Sequence, residues 1–246
     1  VTNSSRAARS SASLVPNHWA SGAASFVRTS LYNFETLRPG ELNSTLPTVV
    51  IDGELERRFF PKAWGGELRF GLEAHSHWRS SDVDVIGRDV SRINGSLKYL
   101  RRFTHRSGLV TDAQVGTTFN FFDITQDDTF AQNHSDIAPF AAVGLSYPMA
   151  RREAGAASQV LTPVVQLGWT DGSRLDIPNE ESTRVEFDQG NILSLSRFPR
   201  PDRRERGTTA AVAVNWSRFD PNGWDTYVAV GQVFRSISDP AFTDTS

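Results

Sequence analysis

The sequence predicts an all-β chain: an antiparallel transmembrane β-barrel segment of about nine or ten strands, a fragment of a larger barrel. Three observations predict it. Apolar and polar residues alternate with period two over long stretches, which sends each type to its own face of a strand. These stretches exceed the length of about 5–6 residues usual for soluble strands and suit a tilted membrane-spanning strand of about 9–11. Aromatic residues, among them Trp19, Phe59, Phe60, Trp64, Trp78, Phe103, Tyr147, Trp169, Phe219, Trp224 and Phe234, gather near the stretch ends. Outer-membrane barrels carry their aromatic girdles there.

The opening stretch 1–17, with "VTNSSRAARSSAS", has no apolar core segment and reads as a linker or a cut end; 18–246 reads as barrel. A weak strand is expected over 19–33. In "VVIDGELERRFF", Val49, Ile51, Leu55 and Phe59 oppose Asp52, Glu54, Glu56 and Arg58. Between Trp64 and Trp78, Leu68, Phe70, Leu72 and Ala74 oppose Glu67, Arg69, Glu73, His75 and His77. The next strand sets Ile93, Leu97, Tyr99 and Phe103 against Arg92, Asn94, Ser96 and Lys98. "GLVTDAQVGTTFNFF" sets Leu109, Ala113, Val115, Phe119 and Phe121 against Asp112, Gln114, Thr118 and Asn120. A weak candidate over 138–149 precedes "VLTPVVQLGW", with Leu161, Val165, Leu167 and Trp169 on one face. "TTAAVAVNWSRF", with Val212, Val214 and Trp216, and a weak candidate over 224–236 complete the set. In a barrel the apolar face meets lipid and the polar face lines a wet lumen. Glu54, Glu56, Arg58, Glu67, Arg69, Glu73, Arg92 and Lys98 are therefore the lumen-facing candidates. Their mixed signs suit a hydrated cavity better than an anion-selective pore.

Composition narrows the function classes. The chain has 246 residues, 38% of them hydrophobic, and a net charge of -2, which leaves no electrostatic footprint for nucleic acid. Lys62 and Lys98 are the only lysines, so the basic residues are nearly all arginines, which suit planar recognition of carboxylates and phosphates. With no cysteine there is no disulfide framework or thiol chemistry. No apolar run of about 18 residues exists for a membrane-spanning helix, a test that β-strands escape. His75 and His77 share a strand face but lack a metal-site spacing with carboxylates, "TDGSRLD" lacks the alternating carboxylates of a calcium loop, and no nucleophile motif accompanies a histidine. The sequence thus predicts no catalytic residue, no metal and no cofactor. A soluble carbohydrate-binding β-sandwich, which also alternates, and a general porin are the competing readings.

One stretch breaks the alternation. "DIPNEESTRVEFDQGNILSLSRFPRPDRRERG" is too long for a hairpin turn, and Pro199 and Pro201 oppose a regular element near its end. Acidic and basic residues alternate along it, which predicts a loop held by internal ion pairs and folded inward. The segment at about 171–207 resembles the hallmark segment of the LptD family, the organic solvent tolerance proteins. The resemblance is carried by Pro163, Asp176, Pro178, Asn179, Glu180, Glu181, Ser182, Phe187, Asp188, Asn191, Arg197, Phe198, Asp202, Arg203 and Gly207. Glu181 stands where Asp is usual, Leu193 replaces a common Phe, and Arg200 falls where a glycine often precedes the Asp-Arg pair.

The resemblance implies an outer-membrane component that moves lipopolysaccharide (LPS) into the outer leaflet. It implies outer-membrane lipids and LPS as contacts, and a plug lipoprotein of LptE type inside the barrel. Periplasmic LPS bridge proteins would be reached through an amino-terminal domain outside this sequence. The cysteines that cross-link characterised members are absent from it.

Overall fold

The computed structural model describes residues 10–14, 25–33, 40, 42–130, 132–152, 157–172, 174–183, 185, 187–188 and 190–242. The strands are β1 (Ser10–Leu14), β2 (Ser25–Asn33), β3 (Val49–Phe59), β4 (Glu67–Trp78), β5 (Asp89–Thr104), β6 (Val110–Thr125), β7 (Asn133–Ser146), β8 (Met149–Arg152), β9 (Ser158–Thr170), β10 (Gly207–Phe219) and β11 (Thr226–Arg235). All pair antiparallel in one sheet of order β1-β2-β3-β4-β5-β6-β7-β9-β10-β11, with β8 beside β9. The sheet is open among the described residues: β1 and β11 are its edges. No helix among them is long and apolar enough to cross a membrane.

Most alternating stretches became strands close to their expected bounds, because one face of each is predominantly apolar. Two strands were missed. β1 falls inside the stretch expected to be a linker and pairs with β2, Ala12 opposite Leu31. β8 has a different origin. Phe140 faces Thr170 and Ser146 faces Val164 in the β7–β9 ladder, and Met149 faces Leu161 in the same register. β8 is therefore the continuation of β7 beyond a break at Tyr147 and Pro148. The break lies opposite Pro163, and neither proline has an N–H to give the ladder. Tyr147 still donates its own N–H to the Pro163 carbonyl at 3.2 Å.

The registers align the faces across strands. Ile51, Leu55 and Phe59 lie on the same side as Leu72, Leu68 and Phe70 of β4, and Leu97 and Tyr99 of β5 continue that side. The same side carries Val115, Phe119, Ile137, Val143, Leu161, Val165, Leu167, Val212, Val214, Val230 and Phe234, all exposed. A soluble sandwich would cover such a face with a second sheet, whereas the described residues form one sheet and leave it bare. The sandwich alternative is thereby corrected. Ten residue steps separate Val49 from Phe59 and Trp78 from Leu68. At ~3.3 Å per residue and a tilt of ~40°, they span about 25 Å, the height of a barrel's apolar band.

The buried residues lie on the opposite face. Phe122 is 1% exposed and Ile124 2%, and Val90, Leu175, Ile177 and Phe130 complete their cluster. A second cluster joins Val164, Ala211, Ala213 and Val233 to Ile192, with Leu193 against it. Leu175, Ile177, Ile192 and Leu193 belong to the 171–206 connection, so the core lies between that connection and the sheet. Small residues let it approach: a Cβ at Gly231 would collide with Ile192, and one at Gly168 with Leu195.

Candidate functional site

The 171–206 connection leaves β9 and crosses the polar face of the sheet, as its charge pattern predicts. A local knot shapes its first half. The Asn179 side chain accepts the Ser182 N–H at 3.2 Å and donates to the Ser182 carbonyl at 3.0 Å. The Asp202 carboxylate accepts the N–H groups of Glu181 and Ser182, both at 3.0 Å, and the Ser182 hydroxyl. Ser182 is 1% exposed, so its hydroxyl, which also reaches the Arg200 backbone, has its partners inside the protein. Asn179, Ser182 and Asp202, 20 positions apart in the last two cases, thus bind two ends of the segment together. The knot turns Glu180 and Glu181 onto the sheet.

Glu180 meets three bases: Arg79 Nη2 at 2.9 Å, Arg88 Nη1 at 2.9 Å and His77 Nε2 at 3.1 Å. Burial opposes its charge, but the hydrogen bonds from His77 and Arg79 outweigh that and hold its pKa at about 2. Arg88 also pairs with buried Asp127 at 2.5 Å. Glu181 takes Arg92 in a two-pronged contact, 2.6 and 3.1 Å, the fork geometry that suits arginine. From Arg92 a polar chain crosses three strands: to Asn94 at 2.6 Å, Asn94 to Asn120 at 2.9 Å, and Asn120 to Asp136 at 2.7 Å. Asp136 pairs with Arg204, which returns the chain to the loop. At the far side Arg197, 3% exposed, pairs with Glu205, and Glu205 reaches Arg235 of β11 at 2.5 Å.

The sequence-predicted loop residues divide accordingly. Asn179, Glu180, Glu181, Ser182, Arg197 and Asp202 are brought together against the sheet. Phe198 is buried and stacks edge-on with Phe242 at 5.6 Å. Pro178 is half-buried beside Val90 and Phe122, while Arg203 lines the cavity under the loop. Asp188 and Asn191 form an outer turn, in which Asp188 Oδ1 accepts the N–H groups of Gly190 at 2.8 Å and Asn191 at 3.0 Å. Phe187 is exposed and Asp176 is exposed, neither joined to the ion-pair system. Gly207 opens β10 with φ +79, a left-handed conformation that favours glycine. Arg200 takes no positive φ, so the turn there makes no use of a glycine's freedom.

All eight lumen-facing candidates lie on the loop-bearing face. Glu56 pairs with Arg58 at 2.6 Å and Glu67 with Arg69 at 2.7 Å, a self-neutralising cluster at the β3–β4 hairpin. Glu73 reaches Arg92 at 3.4 Å, Glu54 borders an open furrow, and Lys98 lines the cavity under the loop. His75 bridges Asp52 at 2.7 Å and His77 at 3.2 Å. The sequence reading did not single out Arg79, Arg88, Asp127, Asp136 or Arg235. Arg79, Arg88 and Asp127 sit in turns without periodicity. Parity with Ala138 and Phe140 marks Asp136 as inward. No group of three metal-ligating side chains occurs among the described residues.

No curated protein matches the chain. A family comparison matches residues 5–246 to the family described as LPS transport system D, far beyond the stretch that carried the resemblance. The chain belongs to the LptD family, LPS transport system D, a family of outer-membrane β-barrel proteins of LPS transport and assembly.

Proposed function

We propose that this chain is part of the barrel through which LPS is delivered into the outer leaflet of the outer membrane. The observation that carries the reading is the division of the sheet: one face bare and apolar, the other charged and covered by the 171–206 loop. LPS joins acyl chains to an anionic sugar head. A polar lumen accommodates the head, and the chains leave into lipid.

The connections give an orientation. At the end carrying the long loop lie 79–88, 126–132 and 171–206; at the other end lie 60–66, 105–109 and 220–225. Outer-membrane barrels have short periplasmic turns and longer external loops, so the ion-paired loop enters the lumen from the cell exterior. The open edges at β1 and β11 cannot be left unpaired in lipid, and further strands close the barrel in this reading. A plug lipoprotein of LptE type would occupy lumen beyond the loop, and periplasmic LPS bridge proteins would deliver LPS from below. The work is positioning and passage, with no bond made or broken.

Depletion of the full-length protein tests this. Newly made LPS should become inaccessible to an added antibody at the cell surface while other outer-membrane proteins persist. A porin would instead show slower uptake of small solutes with surface LPS unchanged, and that result would overturn the proposal.

A further inference from the structure

Between the loop and strands β5, β6 and β7 lies a cavity of about 590 Å³, within the size range of small-ligand sites. Besides Arg204, which is paired with Asp136, its cations come from opposite walls: Lys98 from the sheet, Arg200 and Arg203 from the loop. None of the three is closely neutralised. Arg200 stands 3.9 Å from Glu181 and 4.0 Å from Glu73, and Arg203 stands 4.0 Å from Asp239. Lys98 forms no ion pair among the described residues. The neighbouring carboxylates are engaged elsewhere: Glu56 by Arg58, Glu67 by Arg69, and Glu205, which borders the cavity, by Arg197 and Arg235. Gln114 and Thr118 of β6 and Ser194 of the loop add amide and hydroxyl groups.

We infer that this cavity binds a phosphorylated sugar. Two cationic walls with unfilled donors call for an anion between them, and arginine's planar fork matches phosphate oxygens. The adjoining amide and hydroxyl groups suit a sugar phosphate rather than an isolated phosphate ion. A second cavity of about 260 Å³ shares Lys98, Thr118, Asn120 and Pro201 with the first and is bordered by Glu54, Glu56 and Glu73. The face therefore changes from cationic to acidic across Lys98. A phosphorylated head is held on the cationic side, and neutral sugars pass on the acidic side. The inference rests on the LPS reading above and assigns the part of the lumen that holds the phosphorylated part of the head.

The test uses the full-length protein in cells, with a photoreactive residue at Ser194, which lines the cavity, or at Glu54 on the acidic furrow. Both should crosslink LPS. Joint replacement Lys98→Gln and Arg203→Gln should lower the Ser194 crosslink about tenfold, the size of losing charge-assisted contacts, with the Glu54 crosslink kept. Lys98→Arg with Arg203→Lys should retain most of it. An arm that leaves the protein unaltered uses cells whose LPS core sugars lack phosphate: the Ser194 crosslink should fall and the Glu54 crosslink persist. A Glu54 crosslink with none at Ser194, or a Ser194 crosslink indifferent to core phosphate, overturns the phosphosugar site and leaves the transport reading standing. Loss of crosslinks at both positions in the unaltered protein overturns the transport reading as well.

Discussion

Glu180 shows how one carboxylate can fasten a loop of 36 connecting positions to a sheet. Its pKa of about 2 lies below the ordinary value of 4.5, so the folded form prefers the charged state. A depressed carboxyl pKa contributes stability that is fully present above pH 4.5 and is lost as pH falls towards 2. The contribution is about 3 kcal/mol at most. Loop docking should therefore weaken as pH falls below ~4.5, read as protease cleavage of the loop in the folded full-length protein. Glu180→Gln leaves Arg79 and Arg88 without their shared partner and should expose the loop at neutral pH, at a cost of about 3–5 kcal/mol. Of this residue-level detail the sequence shows only part. The acid–base alternation announces a self-paired loop, and Asn179, Ser182 and Asp202 carry the family resemblance. The partners Arg79, Arg88 and Asp127 are invisible in it, because turn residues have no period and only the registers bring two separate turns to the loop.

At the scale of elements, strands with strict alternation were legible nearly to their ends, since an apolar face next to lipid must repeat every second residue. β1 was not, because its five residues carry one large apolar side chain, Leu14. The β7–β8 break was not either, because it depends on two prolines meeting across a ladder rather than on either strand's pattern. The Tyr147–Pro163 pair explains it: the bond from Tyr147 is made, and the return bond has no donor. Pro163→Ala should supply that donor, join β7 and β8 into one ladder and slow amide exchange around 147–149. The expected gain is about 0.5–1.5 kcal/mol, and unchanged exchange would refute this account of the break.

The whole molecule is a sheet whose two faces have different solvents. The loop-bearing face holds the buried residues, the polar chain from Arg92 to Arg204 and the cation-lined cavity; the other face holds the exposed aliphatic and aromatic side chains. That division makes the inward loop and the outward lipid contact consequences of one register. It is tested most directly along β4, where neighbouring residues differ only in the face they take. Single cysteines at Arg69, Phe70, Leu72 and Glu73 of the full-length protein, in its outer membrane, would be exposed to a water-soluble maleimide. Positions 69 and 73 should label and positions 70 and 72 should stay shielded until detergent is added. Equal labelling at all four positions, or shielding at 69 and 73 instead, would contradict the division of the faces and with it the barrel.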